Sequence, residues 1–412
     1  MTVRGALAAL LAASWCAGAA GEEILRLPIG DPARRDREAP VVLDAVTDTA
    51  SGGLLTPAEL AAKLADVRLV LVGEEHVGMD FHRVERRVIE ALAAAGRKVV
   101  VGLEMYPYPE QHWLDDWTEG RISEEAFLPS WYRNWGYNWL YYRDIFLFAR
   151  EKGIRLVAIN APREVVSAVR QKGFQGLTPE EAAHIPTKID TKSPDHLRLF
   201  KASFDEATSF HVGSSDAQWQ AMLNAQCVWD ATMAWNAAAV LTRDADPKTV
   251  VVVLVGAGHV QYGLGIERQA RQWYPGKIAS VIPVEVEDPK KGPVSAVQAS
   301  YANFVWGVPA EIGPLYPDLG LATHTRPDDK RLEVLDVEKD TPAAAAGFQV
   351  GDVLLTLDGT DVADREVLAR LVAGKRWGDA AAFTVRRGDA TVAVPVVLRR
   401  TVPEKKADAA KP

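Results

Sequence analysis

A largely parallel α/β sheet with helices on both faces and long helical insertions, followed by a small β-domain, is the architecture this sequence predicts. Three observations predict it. Five short runs of apolar and β-branched residues are separated by stretches long enough for helices, which is the pattern of strands buried on both faces. Four of the five runs release an ionisable residue at or just past their C-terminal end, and the fifth is followed by Arg163. After about residue 286 the pattern gives way to frequent Pro and Gly, and then to a compact segment with its own turns.

The elements follow in order. Val41 to Leu43 reads as a short strand and Ser51-Gly52-Gly53 as a turn. Thr56-Pro57-Ala58-Glu59 is a capping box with Pro at the first helical position, so a helix starts there and runs to about Leu64. Leu69–Val72 is the first core strand, closed by Gly73. Asp80 is the expected cap of the next helix, with Met79 and Val84 as a staple across it, and Val84, Val88, Leu92 and Ala95 share one face. The remaining strands are expected at 98–103, 154–159, 249–255 and 278–284, ending at Glu104, Asn160, Gly256-Ala257-Gly258-His259 and Glu285. The first insertion, 107–150, interleaves five Trp with Tyr132, Tyr137, Tyr141 and Tyr142; the second, 162–243, ends in a helix over roughly 216–241. The resulting division is an export signal (1–20), an arm (21–50), an α/β domain (51–286), a linker (287–317), a small domain (318–400) and a disordered tail (401–412).

Composition narrows the function. A net charge of −8 argues against a nucleic-acid surface, which needs a basic patch. Two cysteines, Cys16 and Cys227, exclude a disulfide scaffold. Arg4, the apolar run from Ala6 to Ala13 and the small residues Ala17-Gly18-Ala19 read as an export signal, placing the protein in the periplasm or cell envelope. Cys16 offers a lipid anchor, but bulky Trp15 precedes it, so soluble export is the preferred reading.

The chemistry gathers at the strand ends, where open α/β sheets bind ligands. Glu74, Glu75 and His76 arrive together; Glu104 and His259 end other strands. Carboxylate and imidazole suit Zn or another divalent metal, with His76, Glu104 and His259 as ligands, or an acid/base cluster. His82 and Glu85 lie three apart on one helix face, and Gln226 and Asp230 lie four apart on another. The aromatic insertion can line a flat slot for haem, with His82, Tyr141 or Tyr142 as the iron ligand, or can simply pack the helices onto the sheet. There is no H-E-x-x-H or G-x-S-x-G signature.

Gly73-Glu74-Glu75-His76, His82 and Glu85, Gly102-Leu103-Glu104-Met105, Asn160-Ala161-Pro162-Arg163, Ala225-Gln226…Asp230…Met233-Ala234 and Gly256-Ala257-Gly258-His259 occur in the order that resembles the ChaN-like haem-binding proteins of bacterial iron uptake. Only the second of that family's two adjacent histidines is present, at His82 after Phe81, and Glu85 stands where glutamine is common. The resemblance covers about 50–285 and implies an exported haem-binding protein, with haem-mediated homodimers left open. The same fold group is similar to erythromycin-esterase-like hydrolases and Wnt-cleaving metalloproteases; that likeness implies a hydrolytic set of Glu74, His76, Glu104 and His259 as the alternative. On the binding reading, His82, Tyr141, Tyr142, Arg163, Gln226 and Asp230 are the cofactor candidates. Residues 319–398 resemble a bacterial PDZ domain through Thr341-Pro342-Ala343…Gly347-Phe348-Gln349-Val350-Gly351-Asp352. That resemblance implies a partner's peptide C-terminus held at Leu319-Gly320-Leu321.

Overall fold

The computed structural model describes residues 24–203, 215–288, 292–311 and 313–400; the expected export signal, Cys16 and the tail lie outside the described residues. The first domain is an eight-stranded sheet. Its strands in chain order are β1 (Val46–Asp48), β2 (Gly53–Leu55), β3 (Leu69–Glu74), β4 (Lys98–Pro107), β5 (Arg155–Asn160), β6 (Thr249–Gly256), β7 (Ile278–Glu285) and β8 (Phe304–Val308). Their spatial order is β2-β1-β8-β7-β3-β6-β4-β5. The six from β8 to β5 are parallel, and β1 and β2 add an antiparallel edge.

Alternation within the apolar runs explains the layers. Val70, Val72, Val101, Leu103, Val252 and Leu254 face one core, while Leu69, Leu71, Val100, Val251 and Val253 face the other. The first core is closed by α1 (Pro57–Lys63), α2 (Met79–Ala94), α3 (Gln111–Thr118), α4 (Glu124–Asn134) and α5 (Arg143–Lys152). The second face carries α6 (Arg163–Lys172), α7 (Pro194–Ala202), α8 (Asp216–Arg243) and α9 (Ile266–Ala270), with α8 packed against α6, α7, α9, β5 and β6. α8 is buried almost all round, which is why its sequence shows no single apolar stripe. No described helix is long and apolar enough to cross a membrane.

Three sequence expectations change. The segment 41–43 is no strand: the chain pairs at Glu38–Pro40 and again at β1, and Leu43 makes one isolated bridge to Gly307. Asp44, at φ +58°, turns the chain between them. Residues 304–308 are not linker but the buried strand β8, parallel to β7, hidden in the sequence by the Pro- and Gly-rich flanks. Gly78, not Asp80, caps α2. A Cβ at Gly78 would lie 2.6 Å from the Phe81 ring, so the tight entry admits only glycine.

The second domain is an antiparallel sheet, β9 (Leu321–Thr325), β10 (Leu332–Val337), β11 (Val353–Leu357), β12 (Ala380–Arg387) and β13 (Ala390–Val397), in that spatial order. The Thr341 side chain caps α10 (Pro342–Ala346), and Asp364 caps α11 (Arg365–Ala373). Asp358-Gly359 is a two-residue turn with positive φ at both positions, as a type I′ hairpin requires. α11 packs on α4 of the first domain; Ala369 and Ala373 meet that domain's core, and Leu368, Leu371 and Val372 face their own. The Tyr316 N–H donates to the Tyr141 hydroxyl at 3.2 Å, and the Trp377 Nε1–H to the Pro314 carbonyl at 3.0 Å.

Candidate functional site

β3, β6 and β4 are neighbours although β4 follows β3 in the chain, so the strand order switches here. Their C-terminal ends bring Glu74, His76, His259 and Glu104 into one crevice, the usual ligand position in such sheets. Gly256 makes the approach close: a Cβ there would lie 3.0 Å from His76 Cε1.

One side of the crevice is sealed. His259 Nε2 lies 3.3 Å from Glu104 Oε1, and its Nδ1 lies 2.5 Å from Asp230 Oδ1 and 2.9 Å from the Gln226 amide. The Gly256 N–H donates to Glu104 Oε2 at 2.7 Å. Burial by itself would lower the His259 pKa; the Glu104 and Asp230 carboxylates outweigh it and push it up to about 10. Burial would raise Glu104, but the charge and hydrogen bond of His259 hold it down at about 2. The pair is therefore an imidazolium between carboxylates at neutral pH. Behind it, Asp230 Oδ2 lies 3.8 Å from His196 Nε2, and the Arg268 guanidinium lies 3.1 Å from His196 Nδ1. His196, Cys227 and Asp230 are close enough to hold a metal, but the Arg268 cation already lies against that group.

The other side is open. Glu74 Oε1 lies 2.7 Å from His76 Nδ1 and accepts the Tyr142 hydroxyl at 2.9 Å. The His76 side chain is 21% exposed, and its Nε2 has no hydrogen-bond partner among the described residues. Its ring packs edge-on to Trp135 at 4.8 Å and tilted against Tyr137 at 4.9 Å. Burial lowers the basicity of His76, but Glu74 and then Glu104 more than restore it, so its pKa is raised. The Tyr137 hydroxyl is likewise without a hydrogen-bond partner among the described residues, and burial raises its pKa. Burial, together with Glu285 and Glu74, pushes Glu75 up to about 8.

These positions correct several sequence-based candidates. Both nitrogens of His259 are engaged, so the set that could hold a divalent ion is Glu74, His76 and Glu104, whose ligand atoms lie within 4.8 Å of one another. His82, Tyr141 and Tyr142 are buried and hydrogen-bonded to protein, so none offers an iron a free atom. His82 Nδ1 meets Glu85 at 2.8 Å, Tyr141 accepts from Tyr316, and Tyr142 donates to Glu74. Gln226 and Asp230 serve His259 rather than the open crevice. Arg163 is solvent-exposed near the crevice and donates to the Asn134 carbonyl. In the expected peptide nest, the Gly320 N–H already donates to the Asp318 carboxylate at 3.0 Å, so one of its amides is taken. Tyr137 was not singled out from sequence; the dense aromatic insertion was its signal, but which ring reaches the crevice depends on the turn after α4.

A family model described as "Haem-binding uptake, Tiki superfamily, ChaN" matches residues 60–269. This chain belongs to that family. A PDZ domain model matches 317–398. Among curated proteins, "Protein RETICULATA-RELATED 5, chloroplastic" of Arabidopsis thaliana is 26% identical over 269 residues, 59% of this chain; the chain spans about a third (34%) of that relative. The ChaN structure described as "Cofacial heme binding to ChaN of Campylobacter jejuni" is similar at 16% identity and TM-score 0.49, covering 65% of this chain and 98% of that one. The HtrA-type protease AlgW with decapeptide is similar at 27% identity and TM-score 0.20, over 21% of this chain and 30% of that one.

Proposed function

We propose that this ChaN-like protein binds haem at the open side of the strand-end crevice, and that it is exported to the periplasm or cell envelope as part of iron uptake. The observation that carries the reading is the pair of unpartnered donors, His76 Nε2 and the Tyr137 hydroxyl, on adjacent rings in a half-open, Trp-lined cleft. Imidazole and phenolate both serve haem iron, and aromatic faces suit the flat macrocycle, so the donor set fits the group. Family membership supports the same ligand. When bound, the haem would supply its iron as the ligand-binding and redox centre. The chain's own part is to present the two donors, to hold His76 through Glu74, and to pack Trp135 beside it.

The PDZ domain would receive a peptide along the free edge of β9. The export reading rests on the first twenty residues and predicts that the protein fractionates with the envelope. Fatty-acid labelling that depends on Cys16 would show an anchor.

A haemin titration of the purified chain, with metal content read on the same sample, tests the reading. A saturable shift of the haem band at low stoichiometry with little bound metal is expected. No shift, with one divalent ion per chain removed by His76→Ala, would sink the haem reading and favour hydrolysis at Glu74, His76 and Glu104, whose spacing alone recommends that second reading.

A further inference from the structure

We propose that Arg163 of the first domain and Arg365 of the PDZ domain together form a carboxylate-binding site at the mouth of the crevice, so that the second domain completes the ligand site. The inference rests on the haem reading above and adds to it the recognition of the ligand's acidic edge.

Placement comes first. Arg163 begins α6 just past the end of β5, and its guanidinium donates to the Asn134 carbonyl, with the Trp135 carbonyl 3.5 Å away. Both carbonyls sit at the C-terminal end of α4, where the chain turns towards Tyr137 and the His76 ring. Arg365 is the first residue of α11, and α11 packs on that same α4. The Arg365 charge reaches Arg163, and both guanidinium groups interact with Tyr137 beside the His76 ring, so the two cations come from different domains to one rim of the crevice.

Their surroundings lack the usual compensation. Among the described residues, neither guanidinium has a carboxylate within ion-pair distance. Arg365 stands at a helix N-terminus, where the helix dipole disfavours a cation. Surrounding protein lowers the pKa of both groups; for Arg163 burial is the largest cause and the charge of Arg365 adds to it, bringing it down to about 10. Yet both side chains are exposed to solvent. Both guanidinium groups thus face solvent at the rim with no counter-charge beside them. Two like charges left there unpaired suit an anion that bridges them. Guanidinium groups bind carboxylates with two parallel hydrogen bonds, and a haem carries two carboxylates on one edge.

The test compares haemin with haemin dimethyl ester, which lacks both carboxylates, on the full-length chain and on Arg365→Glu, Arg365→Lys and Arg163→Gln. A charge-assisted hydrogen bond is worth roughly 1.5–3 kcal/mol, or about tenfold to a hundredfold in affinity. Arg365→Glu and Arg163→Gln should therefore each weaken haemin at least about tenfold and leave the ester unchanged, with Arg365→Lys falling between Arg365→Glu and the parent. Thermal melts of both Arg365 variants should match the parent, since Arg365 is exposed. Haemin affinity unaltered by Arg365→Glu, or lost equally for haemin and ester, overturns the inference while leaving the haem reading intact. A parent chain that binds neither compound overturns both.

Discussion

The two sides of the crevice use the same residue types at the same strand ends and end up as different devices. His259 is enclosed between Glu104 and Asp230 with both ring nitrogens engaged, whereas His76 has one nitrogen held by Glu74 and the other free. Burial makes the difference. On the sealed side each buried charge has a partner at hydrogen-bond distance, as a low-dielectric setting demands. On the open side water can still reach the ring, so a donor can stay unsatisfied until a ligand arrives. An ionisable residue at a strand end thus marks the site without saying whether it supports or binds.

The comparison is most sharply broken by Asp230→Ala. It strands the His259 imidazolium beside a single carboxylate, and breaking a buried ion pair costs about 3–5 kcal/mol. A urea midpoint shift of that size is expected, with haemin binding retained by the fraction still folded. A loss of stability below about 1 kcal/mol would show that the sealed side is not the structural one.

His76→Ala should do the reverse. Stability should fall by about 1–3 kcal/mol, less than for Asp230→Ala, because the ring is part-exposed and buried Glu74 keeps the Tyr142 hydroxyl. Haemin affinity should fall at least about tenfold, the value of one lost ligand interaction. An unchanged titration would remove His76 from the binding role.

Proton linkage separates the sides by pH. The folded pKa of His259, about 10, lies above its ordinary 6.5, so its contribution is complete below 6.5 and is lost as pH rises towards 10. The folded pKa of Glu104, about 2, lies below its ordinary 4.5, so its contribution is complete above 4.5 and is lost as pH falls towards 2. Urea midpoints should therefore decline from pH 6.5 to 10, and His259→Gln should flatten that limb. A limb that survives the substitution would assign it to other groups.

The smallest effect is expected at Tyr142→Phe. It removes one buried hydrogen bond to Glu74, a loss of about 1 kcal/mol, and should leave the haem band where it was. A shifted band would return Tyr142 to the role of iron ligand.

Much of this was legible in the residues. The unbroken runs at Leu69–Val72 and Thr249–Val255 read as strands with two buried faces and are, and Thr56-Pro57-Ala58-Glu59 encodes its helix start locally. The PDZ turns at Gly347 and Asp358-Gly359 are also local, since few residues tolerate positive φ. The remainder depends on distant contacts. β8 looked like linker because its five residues gain strand character only by pairing with β7 and β1. Asp80 falls inside the first turn of α2, where its N–H donates to the Glu311 carboxylate from far along the chain and its side chain pairs with Arg83.

Apolar periodicity and capping act over a few residues, so local order sets which residue types stand at the strand ends and that helices must cover both faces of the sheet. The tertiary structure alone decided which histidine is sealed, which tyrosine reaches the crevice and that Arg365 comes to its rim. Those outcomes depend on burial and on Coulomb interactions between residues far apart in the chain, and neither is written in local order.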